Sequence, residues 1–133
     1  EKIERKDEKR MKETLPKSVQ ELILSLREKL KDEPEIVDMF ERCYSNTLDT
    51  TVKKMEDGST YVITGDIPAM WLRDSVAQLR PYLVPAQNDP ELADLIAGLI
   101  RRQFMCINID PYANAFNEDE RQLLGEGRDD MGP

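Results

Sequence analysis

Apolar residues recur at helical spacing in two consecutive stretches near the start of the chain. In the first stretch they are Val19, Leu22, Ile23, Leu26 and Leu30. Ser18 followed by Glu21 three residues later has the spacing of a capping box, so this helix is expected to begin at Ser18. In the second stretch, which begins after Asp32 and Pro34, they are Ile36, Val37, Phe40 and Tyr44. Two such amphipathic helices in a row predict an αα-hairpin.

The pattern changes in the middle of the chain. The small polar residues at positions 46–51 are expected to end the second helix. Asp57-Gly58 is typical of a turn, and the β-branched and aromatic residues at 60–64 are typical of a strand. With Thr51-Val52 before the turn, these residues predict a short β-hairpin near residues 51–64.

A long apolar face returns after Asp89-Pro90, which has a capping residue followed by a proline at the first helical position. Its members are Leu92, Leu95, Ile96, Leu99, Ile100 and Phe104. Gly98 inside this helix is expected to mark the close approach of another helix. The pattern as a whole predicts a mainly α protein.

Charge divides the 133-residue chain into three parts. Residues 1–17 alternate acidic and basic side chains and predict a charged N-terminal segment. Residues 118–133 are acidic and contain few apolar side chains, which is typical of a flexible tail. Residues 18–117 are therefore expected to hold the folded domain.

Composition excludes several classes of function. A net charge of −8 argues against nucleic-acid binding, because phosphates require a basic surface. No apolar run approaches the roughly 18 residues that a membrane-spanning helix requires. The absence of histidine removes the commonest general base and the commonest zinc ligand. Cys43 and Cys106 lie in helical patterns and are interpreted as reduced core thiols, which suits a cytoplasmic location.

The stretch 65–75 concentrates the chemistry of the chain at a turn before a helix. It holds the carboxylates of Asp66 and Asp74, the guanidinium of Arg73 and the only tryptophan, Trp71. A fork of donors, two acceptors and a flat apolar face suit a sugar, which has vicinal hydroxyls and an apolar C–H face. Alternatively, Arg73 and Asp74 form a structural ion pair beside a core tryptophan, and Asp66 caps the following helix.

A second polar-aromatic loop, 110–117, follows the last helix. The amides of Asn114 and Asn117 each supply a donor and an acceptor, which suits hydroxyl recognition. Alternatively, these amides satisfy the backbone of their own loop. The oxygen-bearing side chains of this region do not follow the spacing of an EF-hand, so a metal site is not expected. Asp66 and Asp74 are the nearest pair of carboxylates for acid–base chemistry, but their spacing in sequence does not fix their spacing in space.

Three motifs together resemble the family 125 glycoside hydrolases. They are residues 46–51 (NTLDTT), residues 64–75 (TGDIPAMWLRDS) with Gln78 and Arg80-Pro81-Tyr82, and residues 109–117 (IDPYANAFN). The resemblance covers about residues 21–117. It implies an (α/α)6 barrel and metal-independent, exo-acting hydrolysis of α-1,6-linked mannosides with inversion, without a cofactor.

The resemblance also implies roles for individual residues. Trp71, Arg73 and Asp74 would surround the terminal mannose, and Asp66, Asn114 and Asn117 would line the mouth of the same pocket. The family's catalytic aspartate and glutamate lie downstream of the last motif, so no catalytic residue is assigned in this chain. The chain is thus expected to be the N-terminal part of the barrel, inactive alone and prone to self-association through exposed helix faces. The alternative is a non-catalytic carbohydrate-binding or interaction module.

Overall fold

The structure is a computed structural model that describes residues 15–65 and 67–118. Asp66, most of the predicted N-terminal segment and nearly all of the predicted acidic tail lie outside the described residues. The chain divides into two compact units: Glu1–Val52 with Pro81–Asp94, and Lys53–Arg80 with Leu95–Pro133. As predicted, the described residues are mainly helical with one small hairpin.

The first unit contains the expected pair of helices, α1 (Lys17–Lys29) and α2 (Pro34–Thr50). Both pack as amphipathic helices, with Val19, Ile23 and Val37 buried. The second segment of this unit begins within a 3₁₀ turn (Arg80–Tyr82) and continues as the short helix α4 (Leu83–Ala86).

Two predictions about helix ends in this unit are wrong. Pro16, not Ser18, occupies the cap position of α1, and the Ser18 hydroxyl instead donates to Asp89 Oδ2 at 2.7 Å. A carboxylate is a strong acceptor, so Ser18 is already bound by a partner distant in sequence. The second helix also continues through residues 46–50 and ends at Thr50, whose hydroxyl donates to the carbonyl of Asn46, one turn back, at 2.7 Å.

The aromatic core of the first unit joins α2 to the 3₁₀ turn. The rings of Tyr44 and Tyr82 lie 4.3 Å apart between centroids, and the Tyr44 hydroxyl donates to the Pro81 carbonyl at 3.0 Å. Burial, with a smaller effect from the neighbouring Tyr82, raises the pKa of Tyr44 to about 12. Cys43, next to this core, is exposed, which corrects its interpretation as a core thiol, whereas Cys106 is buried; the two do not form a disulfide. Tyr44 points inward from the helix, and its neighbour in sequence therefore points elsewhere.

The predicted hairpin is formed by β1 (Val52–Lys54) and β2 (Thr60–Val62), and all of it except Val52 belongs to the second unit. Gly58 in its turn has φ +77°, a conformation that favours glycine. The unit continues through β3 (Met70–Trp71) and α3 (Leu72–Leu79). It ends with most of α5 (Pro90–Ile109) and with β4 (Ala115–Phe116).

Helix α5 begins where the sequence predicts, because Asp89 Oδ1 accepts the backbone N–H of Leu92 at 3.0 Å. Gly98 does mark a close approach, but the neighbour is the hairpin rather than another helix. A Cβ at position 98 would lie 3.1 Å from both the Gly58 carbonyl oxygen and the Thr60 nitrogen. The Thr60 hydroxyl donates to the Leu95 carbonyl at 2.8 Å, which ties the hairpin to the same helix.

Candidate functional site

Strands β3 and β4 bring the two polar-aromatic loops of the sequence together. They pair antiparallel, with Met70 opposite Phe116 and Trp71 opposite Ala115. The pairing continues one residue further, where the Leu72 N–H donates to the Asn114 carbonyl at 3.0 Å. The motif that carries Trp71, Arg73 and Asp74 therefore lies beside the loop that carries Asn114 and Asn117.

The two faces of this small sheet differ. Met70 and Phe116 are buried, and they form the inner face. Trp71 and Ala115 are half-buried. Because successive side chains of a strand point to opposite faces, Trp71 and Ala115 lie on the outer face. The outer face therefore presents the indole.

The turn between β2 and β3 is closed by Thr64. Its backbone N–H and its hydroxyl both donate to the Ala69 carbonyl, at 3.0 and 3.1 Å. The same hydroxyl oxygen accepts the N–H of Trp71 at 2.8 Å. Gly65, with φ +78°, permits the tight reversal that follows. Thr64 thus fixes the backbone position of Trp71, which carries the indole.

Tyr61 and Arg102 support the sheet from the interior. The Tyr61 hydroxyl shares its proton between the carbonyls of Pro68, at 3.2 Å, and Phe116, at 3.3 Å. The Arg102 guanidinium lies 5.3 Å from the centre of the Tyr61 ring and donates to the Glu118 carbonyl at 2.6 Å. Burial raises the pKa of Tyr61, with a smaller contribution from the charge of Glu118. Tyr61 is therefore held as a neutral donor that joins the two loops.

Gln103 of α5 contacts the first turn of α3. Its side-chain nitrogen donates to the Leu72 carbonyl and to the Ser75 hydroxyl oxygen, both at 3.0 Å. The Ser75 hydroxyl in turn donates to the Leu72 carbonyl at 2.8 Å. Since Leu72 also donates its N–H to the Asn114 carbonyl, both backbone polar groups of Leu72, the residue before Arg73, have partners.

Arg73 and Asp74 project to solvent from this turn. Their side chains are 94% and 47% exposed, and Arg73 Nε lies 3.6 Å from Asp74 Oδ1. An ion pair so exposed contributes little to stability, which weighs against the alternative of a structural pair. Trp71 is only half-buried, so it is not a simple core residue. Both charged groups and the indole are therefore accessible to a ligand.

The second loop positions the two asparagines. The Asp110 carboxylate accepts the N–H of Tyr112 at 2.9 Å, and the Asp110 carbonyl accepts the N–H of Ala113 at 3.3 Å. Asp110 therefore satisfies backbone groups of this loop, a role that the alternative interpretation gives to the amides of Asn114 and Asn117. The side chain of Asn114 is exposed and that of Asn117 is half-buried. Within residues 15–65 and 67–118, no group of three or more acidic or cysteine side chains is arranged to hold a metal ion.

Five of the six candidate residues thus lie on two adjacent segments of one unit, and the sixth, Asp66, lies outside the described residues. Thr64, Tyr61 and Gln103 also belong to this arrangement, and none of the three is among the candidate residues predicted from the sequence. No local signal marks Gln103, because Arg101 and Arg102 are also polar residues between the apolar positions 100 and 104 of α5. None of the helices in the described part of the chain is long and apolar enough to cross a membrane.

Comparisons with known proteins identify the family of the chain. Residues 33–131 match the profile of a family described as metal-independent alpha-mannosidase (GH125), a range that includes all six candidate residues. The Meiotically up-regulated gene 157 protein of Schizosaccharomyces pombe is 45% identical over 112 residues, covering 81% of this chain and 22% of that protein.

A solved structure is also similar. It is a Streptococcus pneumoniae protein of a family described as metal-independent alpha mannosidases, in a non-productive complex with alpha-1,6-mannobiose. The identity is 59% and the TM-score 0.74, over 77% of this chain and 24% of that one. The chain therefore spans only about a quarter or less of these two relatives. By the match over 33–131, it belongs to the metal-independent α-mannosidase family, GH125.

Proposed function

We propose that this chain supplies substrate-pocket residues to an inverting exo-α-1,6-mannosidase with an (α/α)6 barrel. Trp71, Arg73 and Asp74 would contact the terminal mannose, and Asp66, Asn114 and Asn117 would line the mouth of the pocket. The observation that carries the proposal is the pairing of β3 with β4, which sets the two loops side by side. The bound mannobiose of the Streptococcus pneumoniae relative supports an α-1,6-linked mannoside as the ligand.

Each of the three central groups suits a different feature of a pyranose. The exposed Arg73 guanidinium can donate two parallel hydrogen bonds to adjacent hydroxyls, and Asp74 can accept from a third. The half-buried Trp71 offers an apolar ring to the C–H face of the sugar. A pocket that satisfies every hydroxyl of the last sugar leaves no room for a further unit, which is the basis of exo cleavage.

Hydrolysis would require two carboxyl groups on opposite sides of the glycosidic bond, one acting as acid and the other activating water. The family resemblance locates both downstream of these loops, so the proposed role of this chain is binding. Cys43 and Cys106 do not form a disulfide, which supports a cytoplasmic, reducing location.

The binding step can be tested on the 133-residue chain, because Trp71 is its only tryptophan and its fluorescence reports on this site alone. We expect α-1,6-mannobiose to change the emission saturably, and Arg73→Ala to weaken binding about tenfold or more, since hydrogen bonds to a charged group are lost. Arg42→Ala removes an exposed arginine of α2 and should bind like the wild type. Equal affinity in wild type and Arg73→Ala would contradict the proposed site.

The alternative function is that of a carbohydrate-binding module without catalysis, which would also require binding of the mannoside. A longer protein that contains this segment would separate the two functions through hydrolysis of α-1,6-mannobiose followed by ¹H NMR. Release of β-mannose as the first anomer would support the inverting mannosidase. Binding without hydrolysis would support the module.

A further inference from the structure

We infer that Gln103 is a positioning residue, which holds the first turn of α3 so that Arg73 and Asp74 face the ligand together. This inference rests on the proposed function for the ligand, but its structural part can be tested without one. Gln103 is half-buried on α5 and lies outside the two loop motifs.

The hydrogen bonds of Gln103 enclose the candidate pair. Its side-chain nitrogen reaches the Leu72 carbonyl and the Ser75 hydroxyl, both at 3.0 Å, and Arg73 and Asp74 are the two residues between them. Leu72 can offer only a carbonyl there, so the group facing it must be the amide NH₂ of Gln103. The two protons of that NH₂ match the two acceptors.

The first turn of a helix needs such support. No side chain caps α3 at Trp71, so this turn depends on contacts with other elements. Gln103 supplies such a contact as a donor, to the Leu72 carbonyl and the Ser75 hydroxyl. α3 is also only eight residues long, so it gains little from its own propagation. The Asn114 carbonyl fixes Leu72 from one side and Gln103 fixes Leu72 and Ser75 from the other. Ser75 is fully buried, so the turn is anchored at the base while Arg73 and Asp74 project outward.

The orientation of the pair matters because Arg73 and Asp74 are adjacent in sequence. Neighbouring residues of a helix point about 100° apart, so a small rotation of the turn moves one of them away from a shared ligand. Displacements of the order of 1 Å in positioning groups can reduce the rate of an enzyme about a hundredfold. Gln103 therefore influences sugar recognition without touching the sugar.

The test compares Gln103→Glu and Gln103→Met with two controls in the 133-residue chain. Glutamate keeps the shape but replaces the donor with an acceptor, and methionine keeps the length without any polar group. Asn108→Asp makes the same amide-to-carboxylate change at an exposed position of α5, and Val62→Ala loosens the same unit by truncating a buried side chain of β2. Thermal unfolding ranks the variants by stability. All other measurements are made at a temperature at which every variant is folded.

Two readouts are required. In native-state hydrogen exchange, both Gln103 variants should exchange faster than wild type at the amides of residues 73–76, whereas Asn108→Asp should not. In the Trp71 titration with α-1,6-mannobiose, both should bind about tenfold more weakly, an effect of about 1.4 kcal/mol, and Val62→Ala should bind like the wild type.

Unchanged exchange at residues 73–76 in both Gln103 variants would overturn the inference. An equal loss of affinity in Val62→Ala would also overturn it, because general loosening would then explain the result. If the wild type does not bind mannobiose, the proposed function fails for this chain, and the positioning role is decided by hydrogen exchange alone.

Discussion

The backbone N–H of Trp71 donates to the side-chain oxygen of Thr64 at 2.8 Å. This bond spans seven residues and closes the turn that begins at Gly65. Because the N–H of the next residue, Leu72, turns the other way and pairs with Asn114, the backbone at Trp71 is held on both sides. The position of the indole therefore depends on a threonine that would not itself touch a ligand.

Thr64→Val should loosen this turn. The substitution keeps the shape of the side chain, but it leaves the Trp71 N–H without its acceptor, at a cost of about 1–3 kcal/mol in the free energy of unfolding. The emission maximum of Trp71 should shift, because the indole would sample a different environment. Urea unfolding followed by fluorescence measures both effects.

Thr64→Ser is the matched control for this prediction, because it retains the hydroxyl and removes only a methyl group. It should unfold closer to the wild type than Thr64→Val does. Identical unfolding curves for the valine variant and the wild type would show that the hydrogen bond contributes nothing.

Gly98→Ala should destabilise the second unit although alanine is the better helix former. Propensity alone predicts a gain of about 1 kcal/mol in a helix interior. The added Cβ would instead lie 3.1 Å from the Gly58 carbonyl oxygen and press on the Thr60 side chain. Overpacking of this kind costs about 1–3 kcal/mol, and a lower midpoint of thermal unfolding would reveal it.

Ala97→Gly provides the comparison on the same helix. Position 97 is half-buried, so replacing alanine by glycine should cost the difference in helix propensity, about 1 kcal/mol, together with the burial of one methyl group. A rise in stability in Gly98→Ala would show that the hairpin retreats from the helix at little cost.

Asp89 should make the first unit sensitive to acid. The pKa of Asp89 lies below its ordinary value. The largest cause is the hydrogen bond from the Ser18 hydroxyl, and the next is the hydrogen bond from the Leu92 N–H. A depressed folded pKa means that the stabilisation is present above the ordinary carboxyl pKa and is lost as the pH falls through the folded value. Asp89→Ala should lower the free energy of unfolding by about 1–2 kcal/mol at neutral pH.

The same substitution should also flatten the pH dependence of unfolding below about pH 4, where the aspartate begins to be protonated. Asp89→Asn distinguishes the contribution of helix capping from that of the negative charge, since asparagine still caps a helix but does not titrate. It should retain more stability than alanine and show the same flattened profile. An acid profile as steep in both variants as in the wild type would assign the sensitivity to other carboxyl groups.

The sequence predicts the parts of this fold that local chemistry determines. The three long helices follow from apolar periodicity, the start of α5 follows from Asp89-Pro90, and the hairpin follows from Asp57-Gly58 between β-prone residues. The exposure of Arg73 and Asp74 weighs against the alternative of a structural ion pair.

Other parts depend on contacts between residues distant in sequence. Strands β3 and β4 have two residues each, which is too few to show a periodicity, so the pairing of Trp71 with Ala115 could not be predicted. Ser18 has the spacing of a cap, but it binds Asp89, 71 residues away. Gln103 resembles a surface residue in a helical pattern until its two acceptors on α3 are known.

The outer face of α5 is expected to cause self-association of the 133-residue chain. Phe104 is 64% exposed and Ile100 and Ile107, four residues before it and three after it, are also exposed. Residues at these spacings lie on one side of a helix, so the three side chains form a continuous apolar stripe. Such contiguous patches drive association in water. Sedimentation velocity at increasing concentration should show oligomers, and Phe104→Ser should reduce them.

Leu24→Ser is a suitable control, because Leu24 is 63% exposed but isolated. Its neighbours three and four residues away on α1 are all polar: Gln20, Glu21, Arg27 and Glu28. If contiguity rather than exposure drives association, Leu24→Ser should sediment like the wild type while Phe104→Ser shifts toward the monomer. Equal shifts in the two variants would point to total exposed apolar area, and no shift in Phe104→Ser would place the contact elsewhere on the chain.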